Sequence, residues 1–282
     1  MKLSANLAGV EVGDGFPVRI VAAINVSPES FYGASVVRGR TALQQLAVRM
    51  VEEGADILDI GAMSTAPYRA GAISADEEQR RLQAAVRAVR AVAAVPISVD
   101  TQRGRVAAAA LQAGASIIND VSGLGHDPSM GTTARDAGGV ILMANEIAPS
   151  RRAPVGMIAS LLRQSLTRAR HARIAKNRIV LDPGIGFFRR AAVPWHELDC
   201  LVLRELAKLR RLGRPLLVGI SRKSFIGKLA GRDDPADRLS GSLAAAAIAV
   251  YNGAALVRTH DVAATRDAIR VAAAIRAVTS DQ

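Results

Sequence analysis

A single cysteine, Cys200, is all the thiol chemistry available in 282 residues. That excludes an intrachain disulfide framework and any Cys-based zinc cluster, and it fits a reducing compartment. Aromatic side chains are scarce at 3%, so Ala, Val, Leu and Ile must build the core. The same scarcity leaves no basic strip interleaved with rings, the pattern on which single-stranded nucleic acid stacks. Lysine is rare too, with five among 37 basic residues, the rest being arginine. Long apolar runs are missing: none reaches the roughly 18 residues that a bilayer span requires. The opening MKLSANLAGVEVGDGF has no basic segment followed by an apolar one. The expectation is a cytoplasmic protein with no membrane and no nucleic-acid partner.

What is present is apolar bulk and positive charge. Half the residues are apolar and the formal net charge is +12. The arginines are scattered over segments of helical spacing, such as Arg80, Arg81, Arg87, Arg90 and Arg168, Arg170, Arg173, which suits solvated faces. An anionic small substrate is the better functional reading of the charge. The length is close to the roughly 250 residues of one α/β barrel, so residues 1–282 are expected to form one domain.

About eight short apolar runs each stop at a polar side chain: Asn25, Asp59, Asp100, Asn119, Asn145, Asp182, the Ser221, Arg222, Lys223, Ser224 cluster, and Arg258 to Asp261. The runs read as strands over 18–24, 56–60, 96–99, 116–118, 139–143, 178–181, 215–219 and 255–258. Between them lie helical patterns, including 41–53, 103–113, 157–175, 239–251 and 263–277. Ser74 opens another helix as a capping box with Glu77. Eight such units predict a single (β/α)8 TIM barrel, an α/β fold whose reacting groups sit where strands end. Residues 25–40 and 61–74 are long connections at that end. The segment SLAAAAIAVY within 239–251 is apolar nearly all round, so it should be buried on more than one side, and a homodimer interface is expected there.

Three strand ends deliver Asp100, Asn119 and Asp182. Two carboxylates and an amide match a flat heterocycle with an amidine-like edge, because carboxylates accept from adjacent N–H groups while an amide donates and accepts. Any one of them may instead cap the next helix. Lys223 can reach a ring carbonyl or acid group, with neighbouring backbone N–H groups forming an anion nest. Arg258 and His260 lie two apart, so both can face one side and grip a diphosphate at the usual phosphate end of the barrel. Asn25 can add one oxygen ligand for Mg²⁺ brought in by that diphosphate. His126, His171 and His196 read as surface residues.

The ordered motifs NVSPESF (25–31), GADILDIGAMST (54–65), SVDT (98–101), GASIINDVSG (114–123), LDPGIGF (181–187), GISRKSFIG (219–227) and VRTHDV (257–262) resemble the dihydropteroate synthase family over nearly the whole chain. The resemblance implies a transferase in which 6-hydroxymethyl-dihydropterin diphosphate loses diphosphate while an arylamine nitrogen attacks the exposed methylene carbon. It implies that Asp100, Asn119, Met143, Asp182, Phe187, Gly219 and Lys223 hold the pterin. Asn25, Arg258 and His260 with Mg²⁺ would hold the diphosphate, and Thr65 and Ser224 would border the arylamine. Lys223, Arg258 and His260 are the implied catalytic groups.

Three loops depart from the family pattern. The first reads Glu29, Ser30, Phe31, Tyr32, Gly33, Ala34; the second reads Ala62, Met63, Ser64, Thr65, Ala66, Pro67, Tyr68; after the sixth strand come Gly186, Phe187, Phe188, Arg189, Arg190. The pterin side is intact while the arylamine side is rewritten. The SPESFY loop is similar to the branch serving tetrahydromethanopterin biosynthesis, whose arylamine is 4-(β-D-ribofuranosyl)aminobenzene 5′-phosphate. Arg69, Arg189 and Arg190 would suit its phosphate, although a solvated rim is the plain alternative. The expected arylamine is therefore the phosphorylated one. The alternatives are p-aminobenzoate, as in folate biosynthesis, and, from other classes, a pterin-binding methyltransferase or a non-catalytic pterin-binding protein.

Overall fold

A computed structural model describes residues 2–27, 39–63, 73–145, 154–189 and 193–278. Eight parallel strands form the centre: β3 (Arg19–Asn25), β4 (Ile57–Gly61), β5 (Ile97–Asp100), β6 (Ile117–Asp120), β7 (Gly139–Met143), β8 (Ile179–Asp182), β9 (Leu217–Gly219) and β10 (Leu256–Thr259). Their order is β8-β7-β6-β5-β4-β3-β10-β9, and a parallel bridge between Leu181 and Leu216 joins the two ends into a barrel. The predicted TIM barrel is the observed fold, with each predicted strand recovered within one or two residues.

Strand periodicity divides the core in two. Val21, Ile57, Ile117, Ile141, Val180, Leu217 and Leu256 form one cluster inside the barrel. Their strand neighbours, among them Ile20, Leu58, Ile118, Val140, Leu142 and Leu181, face outward into the cluster under the helices. Each fully buried Leu or Ile contributes about 1.5–3 kcal/mol of transfer free energy, so a one-residue slip of any strand would be costly.

The sequence reading left residues 1–17 without structure, but they contain an antiparallel hairpin, β1 (Ser4–Leu7) and β2 (Val10–Gly13). Ala5, Leu7 and Val12 join the inner cluster, and Ala8 N–H donates to the Gly138 carbonyl at 3.0 Å. The hairpin therefore plugs the end of the barrel where the strands begin. Its short polar turns hid it from a search for long apolar runs.

The outer layer comprises, among the described residues, α1 (Arg40–Glu52), α2 (Ala75–Arg90), α3 (Gly104–Gln112), α4 (Met130–Arg135), α5 (Pro154–His171), α6 (Trp195–Arg204), α7 (Leu206–Leu209), α8 (Ser224–Ala230), α9 (Leu239–Tyr251) and α10 (Val262–Ala277). No helix among the described residues is long and apolar enough to cross a membrane. Ser74 caps α2 by accepting from Glu77 N–H at 3.2 Å, but the expected return bond is replaced: the Glu77 carboxylate holds Arg80 and Arg81 instead. Helix α9 is buried on one side within this chain, through Ser242, Ala245, Ala246, Ala249 and Val250. Its Ile248 and Tyr251 are exposed, as are Val271 and Ile275 of the neighbouring α10.

Candidate functional site at the strand ends

The periodicity that fills the barrel also places the polar groups. Two residues beyond Ile57, Ile117, Val180 and Leu256, on the same inward-facing side, stand Asp59, Asn119, Asp182 and Arg258. Asp100 pairs in register with Asn119 and shares that side. Met143 and Gly219, two beyond Ile141 and Leu217, complete the layer. Asp120, of opposite parity, turns away: it accepts from Ser122 N–H and Leu124 N–H and shapes the loop after β6.

Asp59 is the centre of this layer and was named only as a strand terminus by the sequence reading. It is fully buried; its Oδ2 accepts from Arg258 Nε at 2.7 Å and from Asn119 Nδ2 at 3.2 Å. Arg258 Nη2 lies 3.7 Å from Asp100 Oδ2. Burial works against the Arg258 charge, but Asp59 and Asp100 outweigh it and hold the guanidinium above its ordinary pKa. Asp100 is pushed up to about 7, by burial first and then by the Asp59 charge, with Arg258 opposing. Burial also raises Asp182, against Lys223 and the Gly184 N–H that donates to it at 2.8 Å.

Lys223 enters from the loop after β9. Its Nζ donates to the Ile185 carbonyl and sits 4.8 Å from the centre of the Phe187 ring. Burial lowers its pKa to about 8, with Asp182 and Asp199 opposing. Gly186, at φ 83°, lies so close to the lysine stem that a Cβ there would meet Lys223 Cδ at 2.9 Å. Only glycine suits both the left-handed backbone and that approach.

Two of the N–H groups expected to form an anion nest beside Lys223 are engaged within the protein. Arg222 N–H donates to Ser242 Oγ at 2.8 Å and Lys223 N–H donates to the Ile220 carbonyl at 3.2 Å, so both are spent inside the protein. Arg222 is buried and paired with Asp261 at 2.7 Å, tying the β9 loop to the start of α10.

Arg258 turns to Asp59 and Asp100, whereas His260 turns to Asn25 and Ser221. His260 Nε2 is 3.3 Å from Asn25 Nδ2 and Nδ1 is 3.0 Å from Ser221 Oγ. With the Asn25 amide as donor, Nε2 accepts and the ring proton sits on Nδ1. Burial and the nearby Arg258 push the imidazole down to about 3, so it is neutral at physiological pH.

After β8, Arg189 Nη2 donates to Ser224 Oγ at 2.5 Å, and its guanidinium carbon lies 4.0 Å from the Trp195 ring centre. The structure thus brings Arg189 and Ser224 together and adds Trp195, which no sequence motif flagged. Thr65, Arg69 and Arg190 lie outside the described residues. Among the described residues no three His, Cys, Asp or Glu side chains cluster to hold a metal. His196, expected at the surface, has a buried Nδ1 and an edge contact with Trp195.

Residues 21–260 match the family described as pterin binding enzyme. Dihydropteroate synthase of Synechocystis is 39% identical over 265 residues, covering 91% of this chain and 89% of that protein. Its counterpart in Neisseria meningitidis serogroup B is 39% identical over 275 residues, covering 93% of each. Among solved structures, Xanthomonas albilineans dihydropteroate synthase with 4-aminobenzoic acid superposes with a TM-score of 0.87 at 37% identity, over 99% of this chain and 100% of that one. The family match spans most of the barrel and the structural match nearly the whole chain, and the chain belongs to the pterin binding enzymes and, within them, to the dihydropteroate synthase family of transferases.

Proposed function

We propose that this chain condenses 6-hydroxymethyl-7,8-dihydropterin diphosphate with p-aminobenzoate, releasing diphosphate. The observation that carries the pterin half is the buried layer of Asp59, Asp100, Asn119, Asp182 and Arg258 with Lys223 above it. The altered loops point to a phosphorylated ribosyl arylamine, but the relatives favour the smaller one. They are named dihydropteroate synthase, and the Xanthomonas albilineans protein was solved with 4-aminobenzoic acid. Tetrahydromethanopterin biosynthesis is thus the weaker reading.

The pterin ring offers adjacent N–H groups on one edge and a carbonyl beside them. Asp182 and Asp100 accept from the N–H edge, Asn119 both donates and accepts, and the Lys223 ammonium donates to the ring carbonyl. Met143, Phe187 and Gly219 border the ring. Near neutral pH Asp100 carries a proton part of the time, and N–H donors from the ring would draw it to the ionised form. In the reaction the arylamine nitrogen lone pair forms a bond to the exocyclic methylene carbon as the carbon–oxygen bond to diphosphate breaks. The leaving group takes the electron pair, and the new ammonium gives up one proton.

Arg258 supplies positive charge toward the departing oxygen. His260 is neutral and contributes hydrogen bonding rather than charge: a phosphate oxygen that displaces Asn25 calls for the other tautomer, in which Nε2–H donates to it and Nδ1 accepts from the Ser221 hydroxyl. The Asn25 oxygen suits one position of a hard cation whose remaining ligands are phosphate and water. Such a Mg²⁺ ion, when bound, neutralises leaving-group charge. Ser224 and Arg189 form the arylamine rim, with the guanidinium facing the carboxylate of p-aminobenzoate.

We further propose a homodimer through the exposed face of Ile248, Tyr251, Val271 and Ile275 on α9 and α10. The activity is tested by pyrophosphate release from the pterin diphosphate with Mg²⁺, comparing p-aminobenzoate with 4-(β-D-ribofuranosyl)aminobenzene 5′-phosphate at equal concentration. Faster release with p-aminobenzoate supports the reading, and preference for the phosphorylated arylamine overturns it in favour of methanopterin synthesis.

A further inference from the structure

Helix α6 buries Leu198, Asp199, Val202 and Leu203 on one face. Three of the four are what a core-facing stripe calls for, and the carboxyl is not. Asp199 is 1% exposed, and a buried carboxylate is costly unless it is compensated. Its Oδ1 accepts from Gly186 N–H at 2.7 Å, while its buried Oδ2 has no hydrogen-bond partner among the described residues. A neutral amide would serve Gly186 equally well. The negative charge therefore needs a second explanation, and it lies across the loop.

Gly186 is the residue whose backbone rests on the Lys223 stem. Its neighbour Ile185 accepts from Lys223 Nζ, and Phe187 presents its ring to the same ammonium. We propose that Asp199 is a positioning residue for Lys223: from α6 it holds Gly186, presses the 184–187 turn against the lysine, and supplies the charge that keeps the ammonium protonated. Around Asp199 the charged or titratable groups are Lys223, Arg189 and His196, with Glu197 and Cys200 beside it on α6. Lys223 in turn faces Asp182, Asp199, Arg258 and Arg189. Burial raises the Asp199 carboxyl to about 6, so it is mostly ionised at pH 7 and above. Asp182 is the larger counter-charge on the lysine, and Asp199 adds a second one from the side of α6.

The inference rests on Lys223 as a pterin-binding group, and its test is built to be read without turnover. The chain has five lysines, so competitive labelling with acetic anhydride across pH 6–10, read by mass spectrometry, reports the titration of Lys223 separately from the others. Asp199→Asn keeps the acceptor for Gly186 and removes the charge. The expected result is a Lys223 titration displaced to lower pH, with labelling at pH 7 increased about threefold or more, while Lys176 and Lys208 are unchanged. Lys223 titrating as in the unaltered protein overturns the inference. Asp199→Ala removes the hydrogen bond as well, and it should raise KM for the pterin diphosphate about tenfold with KM for the arylamine unchanged. Equal rises in both KM values would mark a merely structural role and also overturn it. Absence of any turnover in the unaltered protein would strike the proposed activity alone, since the labelling still decides the role of Asp199.

Discussion

Arg258 and Asp59 form a 2.7 Å ion pair between β10 and β4 in which the carboxylate is wholly buried and the guanidinium side chain is 21% exposed. Removing either partner strands the other in a dry layer, which typically costs about 3–5 kcal/mol. Arg258→Ala is therefore expected to lower melting temperature as well as to reduce kcat/KM at least about tenfold. Asp59→Asn should do both more mildly. The check is a double-mutant cycle: Arg258→Ala and Asp59→Ala together should lose much less stability than the two single losses added. Full additivity would mean that the pair is not coupled.

Asp100 gives a stability signature that runs against its function. Its folded pKa of about 7 exceeds the ordinary 3.8, so between those values the folded chain keeps a proton that the unfolded chain has released. Stability is then lost as pH rises through that window, and the loss is complete above about 7. Asp100→Asn does not titrate. It should melt several degrees higher than the unaltered protein at pH 8 and show little advantage at pH 4, while pterin binding collapses. Calorimetry at the two pH values checks this, and an advantage that is the same at both would contradict the raised pKa.

Lys223 sets the alkaline limit. With its amine at about 8, the ammonium proposed to meet the ring carbonyl is lost above that pH. The kcat/KM for the pterin diphosphate should fall with an apparent pKa near 8. Lys223→Arg keeps its charge throughout, so the variant should be slower at pH 7.5 but flat to pH 10. Persistence of the limb in that variant would assign it to another group.

Much of this was readable from residue order. Strand-terminal position singled out Asp100, Asn119, Asp182, Lys223 and Arg258, because a barrel concentrates polar groups at that end. Parity would have sharpened the list: Asp59 stands two beyond an inward isoleucine and belongs in the layer, while Asp120 stands one beyond Asn119 and turns out of it. Two features were not legible. Asp199 is separated from Gly186 by 13 positions and looks like an ordinary polar residue in an amphipathic helix; only the fold brings its oxygen to the loop. The fate of the Arg222 N–H, expected in an anion nest, was equally hidden, because Ser242, twenty residues away, takes it.

Arg189 offers the test that separates the two arylamines. Its guanidinium is held by Ser224 Oγ at 2.5 Å and by the Trp195 ring at 4.0 Å, which fixes its position. Under the proposed function the carboxylate of p-aminobenzoate meets this guanidinium, while the pterin meets Asp100, Asn119, Asp182 and Lys223. Arg189→Ala should therefore raise KM for p-aminobenzoate about tenfold and leave KM for the pterin diphosphate within about twofold. Trp195→Ala, which frees the guanidinium without removing it, should give a smaller rise of the same kind. Steady-state kinetics with each substrate varied in turn separates the two effects. An unchanged KM for p-aminobenzoate in Arg189→Ala, with a large rise for the phosphorylated ribosyl arylamine, would show that this rim reads a phosphate and not a carboxylate.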